Sequence, residues 1–513
     1  MKFFKSMTLG ATMALTVLPL LATQANAETL TITIDSTLET LDPHNSTANA
    51  VASISNGVMQ RLIGFDKDMK MVPMLAESWT VNDNATVFTF KLRQGVTFHD
   101  GTAFDAAAAK VNIDRLADQS NNLKRNSMMR VVAKTEVVDE NTFRLTLKEP
   151  FGAMLATLAH PSIVMHSPKS LAEDGGDVSK HPVGTGPFVF NEWVPGERYS
   201  VVANPNYWEA GLPKVDGVNF LTVKETATSI AMLKADEAQF VFPLPPELFE
   251  TVEADEQFDI LEVPGITVRT ASMNMAMKPF QDPRVREAFN LAVDKNAFIQ
   301  VVFAGHGVVP TSPIAANTAY YSAQEAYPFD LEKAQALMAE AGYADGFSIE
   351  AAGRNSSDET RTLQFLQQQL GQINVKVKIN PMEAAARSAR FFGNDVTGET
   401  ATFGLALGGW SPSTGDADWH LRPVYSTEGI IPNIYNMAFY SNPKVDAFIA
   451  SGLNSADDAV RAAAYASAQK LIWEDRPVIW LAAENKLAGA RADLSGVFPM
   501  PDGTFAYANA DFK

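Results

Sequence analysis

Phe88-Thr89-Phe90-Lys91-Leu92-Arg93-Gln94-Gly95-Val96-Thr97-Phe98-His99-Asp100-Gly101-Thr102 opens on strict alternation. Phe88, Phe90 and Leu92 fall on one face of a strand that begins near Thr86. Phe98 to Thr102 reads as a strand end and turn, with Gly101 serving backbone geometry. The pattern then changes period. From Asp105 an Ala-rich segment runs to Leu116 as a helix. A strand that feeds a helix in this way predicts mixed α/β packing.

The same two patterns recur outward along the chain. Leu30–Ile34 reads as a strand, and 141–148 alternates through Phe143, Leu145 and Leu147. Asp282-Pro283 is an N-cap followed by proline at the first helical position. Val285, Ala288, Phe289 and Ala292 then form an apolar stripe. Asp330 caps a helix carrying Leu331, Ala334, Leu337, Met338 and Ala341, stopped by Gly342. Asp358 is expected to cap another, through Leu363, Leu366 and Leu370 to Gly371. A further helix spans 459–473. The Pro/Gly-rich stretch 181–187 and the region 264–278 are the expected chain crossings between domains.

Met1-Lys2-Phe3-Phe4-Lys5, an apolar run from Leu9 to Leu21, and Ala25-Asn26-Ala27 form a secretory signal, with cleavage expected after Ala27. The run is too short for a spanning helix, which needs roughly 18–20 residues. The chain has no cysteine. This excludes disulfides, thiol catalysis and a lipidated N-terminal cysteine. An exported, disulfide-free, unanchored chain points to the periplasm. The net charge is −18; two of the 41 basic residues and no acids lie in the signal, leaving 39 against 59, or −20. That balance disfavours nucleic acid and anionic membranes as partners and serves solubility. The remaining length predicts two to four domains.

Catalytic signatures are absent from the sequence. No phosphate loop or nucleophile elbow occurs, and Gly184-Thr185-Gly186 meets Val189 where a dinucleotide fingerprint needs glycine. The seven histidines form no metal-ligand pair. The chain is expected to have no catalytic residue, metal or cofactor. A secreted hydrolase, which would need an oriented nucleophile and base, is disfavoured.

Several segments together resemble the family 5 extracellular solute-binding proteins, which include peptide, glutathione and nickel receptors of ABC importers. They are Met71-Val72-Pro73-Met74-Leu75-Ala76-Glu77-Ser78-Trp79, the opening stretch from Phe88 to Thr102, Pro182-Val183-Gly184-Thr185-Gly186-Pro187-Phe188 and Asn204-Pro205-Asn206-Tyr207-Trp208. Gly409-Trp410-Ser411-Pro412-Ser413-Thr414-Gly415-Asp416-Ala417-Asp418-Trp419 and Phe439-Tyr440-Ser441-Asn442-Pro443 give the strongest likeness to the glutathione-binding members.

The resemblance implies a type II-like periplasmic binding protein. Two lobes surround a cleft, with an inserted domain, as a three-domain, pear-shaped α/β fold. Expected boundaries are 1–27 for the signal; 28–60, 187–270 and 485–513 for domain I; 61–186 for domain II; and 271–484 for domain III. The resemblance also implies a monomer that closes on a small peptide-like ligand, glutathione favoured, and delivers it to a membrane permease. Dipeptides, opines or a metal chelate are the alternatives. A sensory or chaperone role is not separated from transport by sequence.

A desolvated glutathione needs cations for two carboxylates and an acid or carbonyls for its ammonium. Arg125, Arg354 and Arg361 are the candidate carboxylate ligands, against the alternative of surface arginines. Family likeness puts the Gly409–Trp419 loop at the ligand. There Ser413 stands where peptide-binding relatives carry the acid that pairs with the ligand amine. Ser411, Thr414, Asp416 and Asp418 are candidates on this loop, the acids alternatively stabilising a turn. Trp410 and Trp419 either wall the cleft or belong to interdomain core. Asn274 is either a ligand contact or a structural hydrogen-bonder.

Overall fold

The computed structural model describes residues 28–173 and 178–513; the signal segment 1–27 lies outside them. The stretch that opens the sequence reading forms strand Val87–Leu92 of an antiparallel four-stranded sheet, in the order Ala76–Val81, Val87–Leu92, Thr142–Leu147, Val132–Asp139. Phe90 stands opposite Phe143 and Phe88 opposite Leu145. The Phe90 and Phe143 rings stack at 6.1 Å. Helix Ala106–Ala117, capped by Asp105, which accepts from the Ala108 N–H, supplies Ala109, Ile113 and Leu116 to the same core. Each fully buried Phe or Leu here contributes about 1.5–3 kcal/mol.

A second, larger sheet runs through the rest of the molecule. Its principal strands are β1 (Thr29–Ile34), β2 (Phe188–Val194), β3 (Arg198–Ala203), β4 (Gly217–Thr222), β5 (Phe240–Phe242), β6 (Phe258–Met273), β7 (Ser348–Arg354), β8 (Lys376–Met382), β9 (Leu405–Trp410) and β10 (Val478–Arg491). Their spatial order is β8-β7-β9-β6-β10-β5-β1-β4-β3-β2, with the short strand Gly307–Val308 also on β10. One end of this sheet packs around Leu30, Ile32, Phe220 and Phe240. The other packs around Ala351, Leu405, Leu407 and Ile479, under helices Pro283–Leu291, Lys295–Phe303 and α1 (Ser357–Gly371).

Among the described residues only β6 and β10 belong to both ends. Phe258–Pro264 pairs with Asn485–Arg491, and Val268–Ser272 pairs with Val478–Ala483. Between them the register shifts: the three residues of β6 between Pro264 and Val268 answer the single residue of β10 between Asn485 and Ala483. Such a bulge breaks the ladder and concentrates twist and bending at one point. The burial pattern changes there too. From Gly265 to Met273, β6 is almost continuously buried, because β9 and β10 flank it and helices cover the sheet.

The crossing expected within 264–278 is therefore a strand and not a loop. The crossing expected at 181–187 runs close against the backbone of Gly57 and Val58. There Gly186 N donates to Val58 O at 2.9 Å and Phe188 N to Gly57 O at 3.0 Å. The cap expected at Asp358 falls two residues earlier, at Ser356, whose backbone is extended. Asp358 sits in the first turn of α1, where an acid complements the helix N-terminus. The helices predicted after Asp282 and Asp330 form as Pro283–Leu291 and Leu331–Glu340, with those two side chains as caps.

Gly265 lies in the bulge, and a Cβ there would meet the Glu484 carbonyl oxygen at 2.3 Å. Gly265→Ala is expected to destabilise the protein by about 1–3 kcal/mol through this overlap. Gly371→Ala, in open space at the end of α1, is expected to add up to about 1 kcal/mol. Thermal unfolding of the two variants checks both signs.

Candidate functional site

A cavity of about 610 Å³ opens where β6 and β10 cross. One wall carries Asp35, Ser36, Asn49 and Phe505; the opposite wall carries Arg354, Glu359, Ser411 and Tyr435. The floor is made by the crossing strands themselves, through Thr267, Arg269, Glu484 and Lys486. Volumes of roughly 300–1,000 Å³ with a few convergent polar groups suit a small-molecule ligand.

Glu484 and Lys486 are two apart on β10, so the pleat puts both on the cavity side. Arg269 Nε donates to Glu484 Oε2 at 2.6 Å, and Lys486 Nζ bonds the other carboxylate oxygen. Arg269 also lies 3.6 Å from Asp358 Oδ2, at the start of α1. Burial alone would raise the Glu484 pKa; the Arg269 and Lys486 charges overcome it and bring it down to about 2. This network is close to neutral within itself. Arg354, at the end of β7, is different. Its nearest acid is Glu359 at 3.7 Å, and its side chain is 57% exposed against 8% for the acid. It offers most of its guanidinium donors to the cavity.

Of the residues singled out in the sequence, the structure brings Arg354 and Ser411 to the cavity lining. Ser411 Oγ donates to Asp502 O at 3.3 Å. Arg125 and Ser413 lie beside it. Arg125 Nε donates to Ser46 O at 2.8 Å, next to the lining residue Thr47, and Ser413 Oγ meets His160 Nε2 at 2.9 Å. Arg361 lies outside the lining, 3.6 Å from Glu247.

The two loop acids are held in ion pairs. Asp416 is 3% exposed and receives Arg461 Nη2 on both oxygens, at 3.0 and 2.9 Å. Asp418, 1% exposed, pairs with Arg422 one turn along α2 (Asp418–Tyr425) at 2.8 Å. Neither carboxylate reaches the cavity. Thr414 is buried in the same turn. The Trp410 ring packs 5.0 Å from Tyr435 and 6.2 Å from Trp419, and its N–H donates to the Trp419 carbonyl. Trp419 packs against the four-stranded-sheet core. Asn274 is fully buried, donating to Gly398 O and accepting from Ala276 N.

Sequence reasoning missed Arg269, Glu359, Glu484, Lys486 and Tyr435. A signal for the floor was available. Glu484-Asn485-Lys486 interrupts an otherwise apolar run from Val478 to Ala490, and Arg269 is the one charge in Ile266–Met273. Charges inside buried strands are rare without a partner or a task.

The family model for bacterial extracellular solute-binding proteins, family 5 Middle, matches residues 70–431. The chain is 40% identical over 503 residues to the glutathione-binding protein GsiB of Pectobacterium atrosepticum, covering 98% of this chain and 97% of that one. It is 38% identical over 488 residues to GsiB of Escherichia coli K12, covering 95% of each. Among solved structures, HbpA2 from Haemophilus parasuis superposes with a TM-score of 0.83 at 25% identity, covering 95% of this chain and 100% of that one. AgaA in complex with agropinic acid, from A. tumefacien, gives 0.76 at 26% identity, covering 94% and 99%.

Asp416→Asn leaves Arg461 buried without its counter-charge. A loss of about 3–5 kcal/mol of stability is expected, measured by denaturant unfolding. Glu484 contributes through its lowered pKa. Its stabilisation is fully present above its ordinary value of 4.5 and disappears as pH falls towards about 2. That is worth about 3 kcal/mol. Acid unfolding of Glu484→Gln is expected to lose this portion of the pH dependence.

Proposed function

The chain belongs to the bacterial extracellular solute-binding proteins of family 5, and on that premise we propose that it is the periplasmic receptor of an ABC importer for glutathione or a closely related small peptide. The observation that carries this reading is the cavity floored by two strands common to both ends of the large sheet and lined by charges of both signs. A zwitterionic peptide-like ligand needs both signs once it is desolvated. The identity to glutathione-binding relatives over nearly the whole chain supports the choice of ligand.

The mechanism is capture without bond breaking. Residues 28–60, 187–270 and 485–513 form one lobe, 271–484 the other, and 61–186 an insertion. The lobes swing about the β6–β10 bulge. A ligand that touches both walls favours the closed state by the contacts it makes only there. Closure removes water, and the remaining charge contacts strengthen as the local dielectric falls. Arg354 takes a ligand carboxylate. The acids Glu359 and Asp35, one on each wall, face the ammonium. The closed receptor acts as a monomer, docks on the membrane permease and releases its cargo. Residues 1–27 direct export and are removed after Ala27.

The opine reading draws support from AgaA, solved with agropinic acid, and it is separated by the same experiment. The protein is unfolded, refolded to strip copurified ligand, and melted with reduced glutathione, oxidised glutathione, a dipeptide or agropinic acid. The expected result is saturable stabilisation by glutathione, about 2.7 kcal/mol at 100 times the dissociation constant. Stabilisation by agropinic acid or the dipeptide alone overturns the glutathione reading. Arg354→Gln is expected to weaken glutathione binding by about 10- to 100-fold, the scale of one charged hydrogen bond, with the unliganded melting temperature nearly unchanged.

A further inference from the structure

Beyond the cavity lining, at the end marked by Thr47, Asn49 and Ser411, lies a group of polar and cationic side chains with no carboxylate among them. His160 is buried, and its Nδ1 accepts the Ser162 N–H at 3.0 Å. Its other nitrogen, Nε2, therefore carries the proton and donates to Ser413 Oγ at 2.9 Å. The Ser413 hydroxyl hydrogen is then free to donate elsewhere.

Arg125 uses only its Nε, on Ser46 O at 2.8 Å, and no carboxylate among the described residues is in ion-pair contact with it. Arg61 is more than nine-tenths buried, and its Nε has no hydrogen-bond partner. The Arg61 guanidinium likewise has no carboxylate in contact; Asp502 is the acid whose field reaches it, and that carboxylate is engaged by Thr504. Asn49, three residues beyond Ser46, and Ser411, two residues before Ser413, both donate to Asp502 O at 3.3 Å, which brings the segment that holds Arg125 and the segment that carries Ser413 to one end of the cavity. Burial together with the charges of Arg125 and Arg61 holds the His160 pKa well below its usual range. Two guanidinium groups without acids, a hydroxyl and an imidazole N–H make an environment that lacks an anion.

We infer that Arg125 and Ser413, with Arg61 and His160 behind them, form a second carboxylate subsite, which accepts a ligand bearing a carboxylate at the end remote from Arg354. The inference rests on the cleft being the ligand site, and it extends that reading to the ligand's class. The ligand carries an anion at both ends, with its ammonium not alone at this one. A γ-linked glutamyl group has that form; the free amine of an ordinary dipeptide meets two uncompensated cations here and is repelled.

Calorimetric titration of the refolded full mature chain tests this. Reduced glutathione is compared with 4-aminobutyryl-cysteinyl-glycine, which lacks only the glutamyl α-carboxylate. Wild type is expected to prefer glutathione by about 10- to 100-fold. Arg125→Gln is expected to erase that preference and Ser413→Ala to reduce it, with unchanged melting of the free protein. A preference that survives in folded Arg125→Gln, or equal binding of the two ligands to wild type, overturns the subsite.

If wild type binds neither, N-succinyl-alanyl-glycine and alanyl-alanyl-glycine replace them. Tighter, Arg125-dependent binding of the succinylated peptide upholds the subsite and rejects only glutathione as the ligand. Equal binding, preference for the free amine, or binding of neither overturns it.

Discussion

Two antiparallel strands tie one end of the large sheet to the other. A backbone ladder resists stretching and shear, since moving one strand along its neighbour breaks every hydrogen bond at once. It yields only where pairing is already interrupted. In β6 and β10 that place is the Pro264–Val268 bulge opposite Asn485–Ala483. The charges that floor the cavity, Arg269, Glu484 and Lys486, stand on either side of it. In the proposed mechanism the point that bends and the point that meets the ligand are therefore the same few residues, and Gly265 lets the strands approach closely there.

The charge pattern divides the cleft in a way that the net charge of −18 conceals. On the floor each cation has an acid, so the network is rigid and nearly neutral. Arg354, mostly exposed beside Glu359, and Arg125, with no ion pair among the described residues, are the cations that the proposed binding mode assigns to the ligand. The loop from Gly409 to Trp419 serves both regions. Asp416 on Arg461, which also stacks on Tyr320 at 4.6 Å, and Asp418 on Arg422 fasten its second half. Its first half presents Ser411 and Ser413. A loop clamped at one end by buried bidentate pairs loses less entropy on binding than a mobile one.

Local signals in the sequence carried much of the fold. Phe88, Phe90 and Leu92 announced their strand by period, and Asp105, Asp282 and Asp330 announced helices as caps, because both effects act within a few residues. Asp358 misled because an acid satisfies the first turn of a helix as readily as the cap position. The site was less legible. Ser411 was reachable through family likeness, and Arg354 through the cations that a ligand's carboxylates require. Asp416 and Asp418 attracted attention as acids near glycine; Arg422, four residues after Asp418 on α2, was readable as a helical pair, whereas Arg461 on the helix Asp458–Asp475 reaches Asp416 through packing that no spacing rule encodes. Arg61 gave no signal, since an arginine's burial and want of an acid are properties of the assembled core. The floor charges were visible as interruptions of apolar runs, but their convergence depends on the register between two strands more than 200 residues apart.

The absence of cysteine makes the central claim, ligand-driven closure about the crossing strands, directly measurable. Thr37→Cys and Asn355→Cys lie next to the lining residues Ser36 and Arg354 on opposite walls, and thioether-linked spin labels at the two sites report the width of the cleft mouth by pulsed electron resonance. The account predicts that saturating glutathione moves the refolded, ligand-free protein to shorter distances. Saturable binding with an unchanged distance distribution would contradict it.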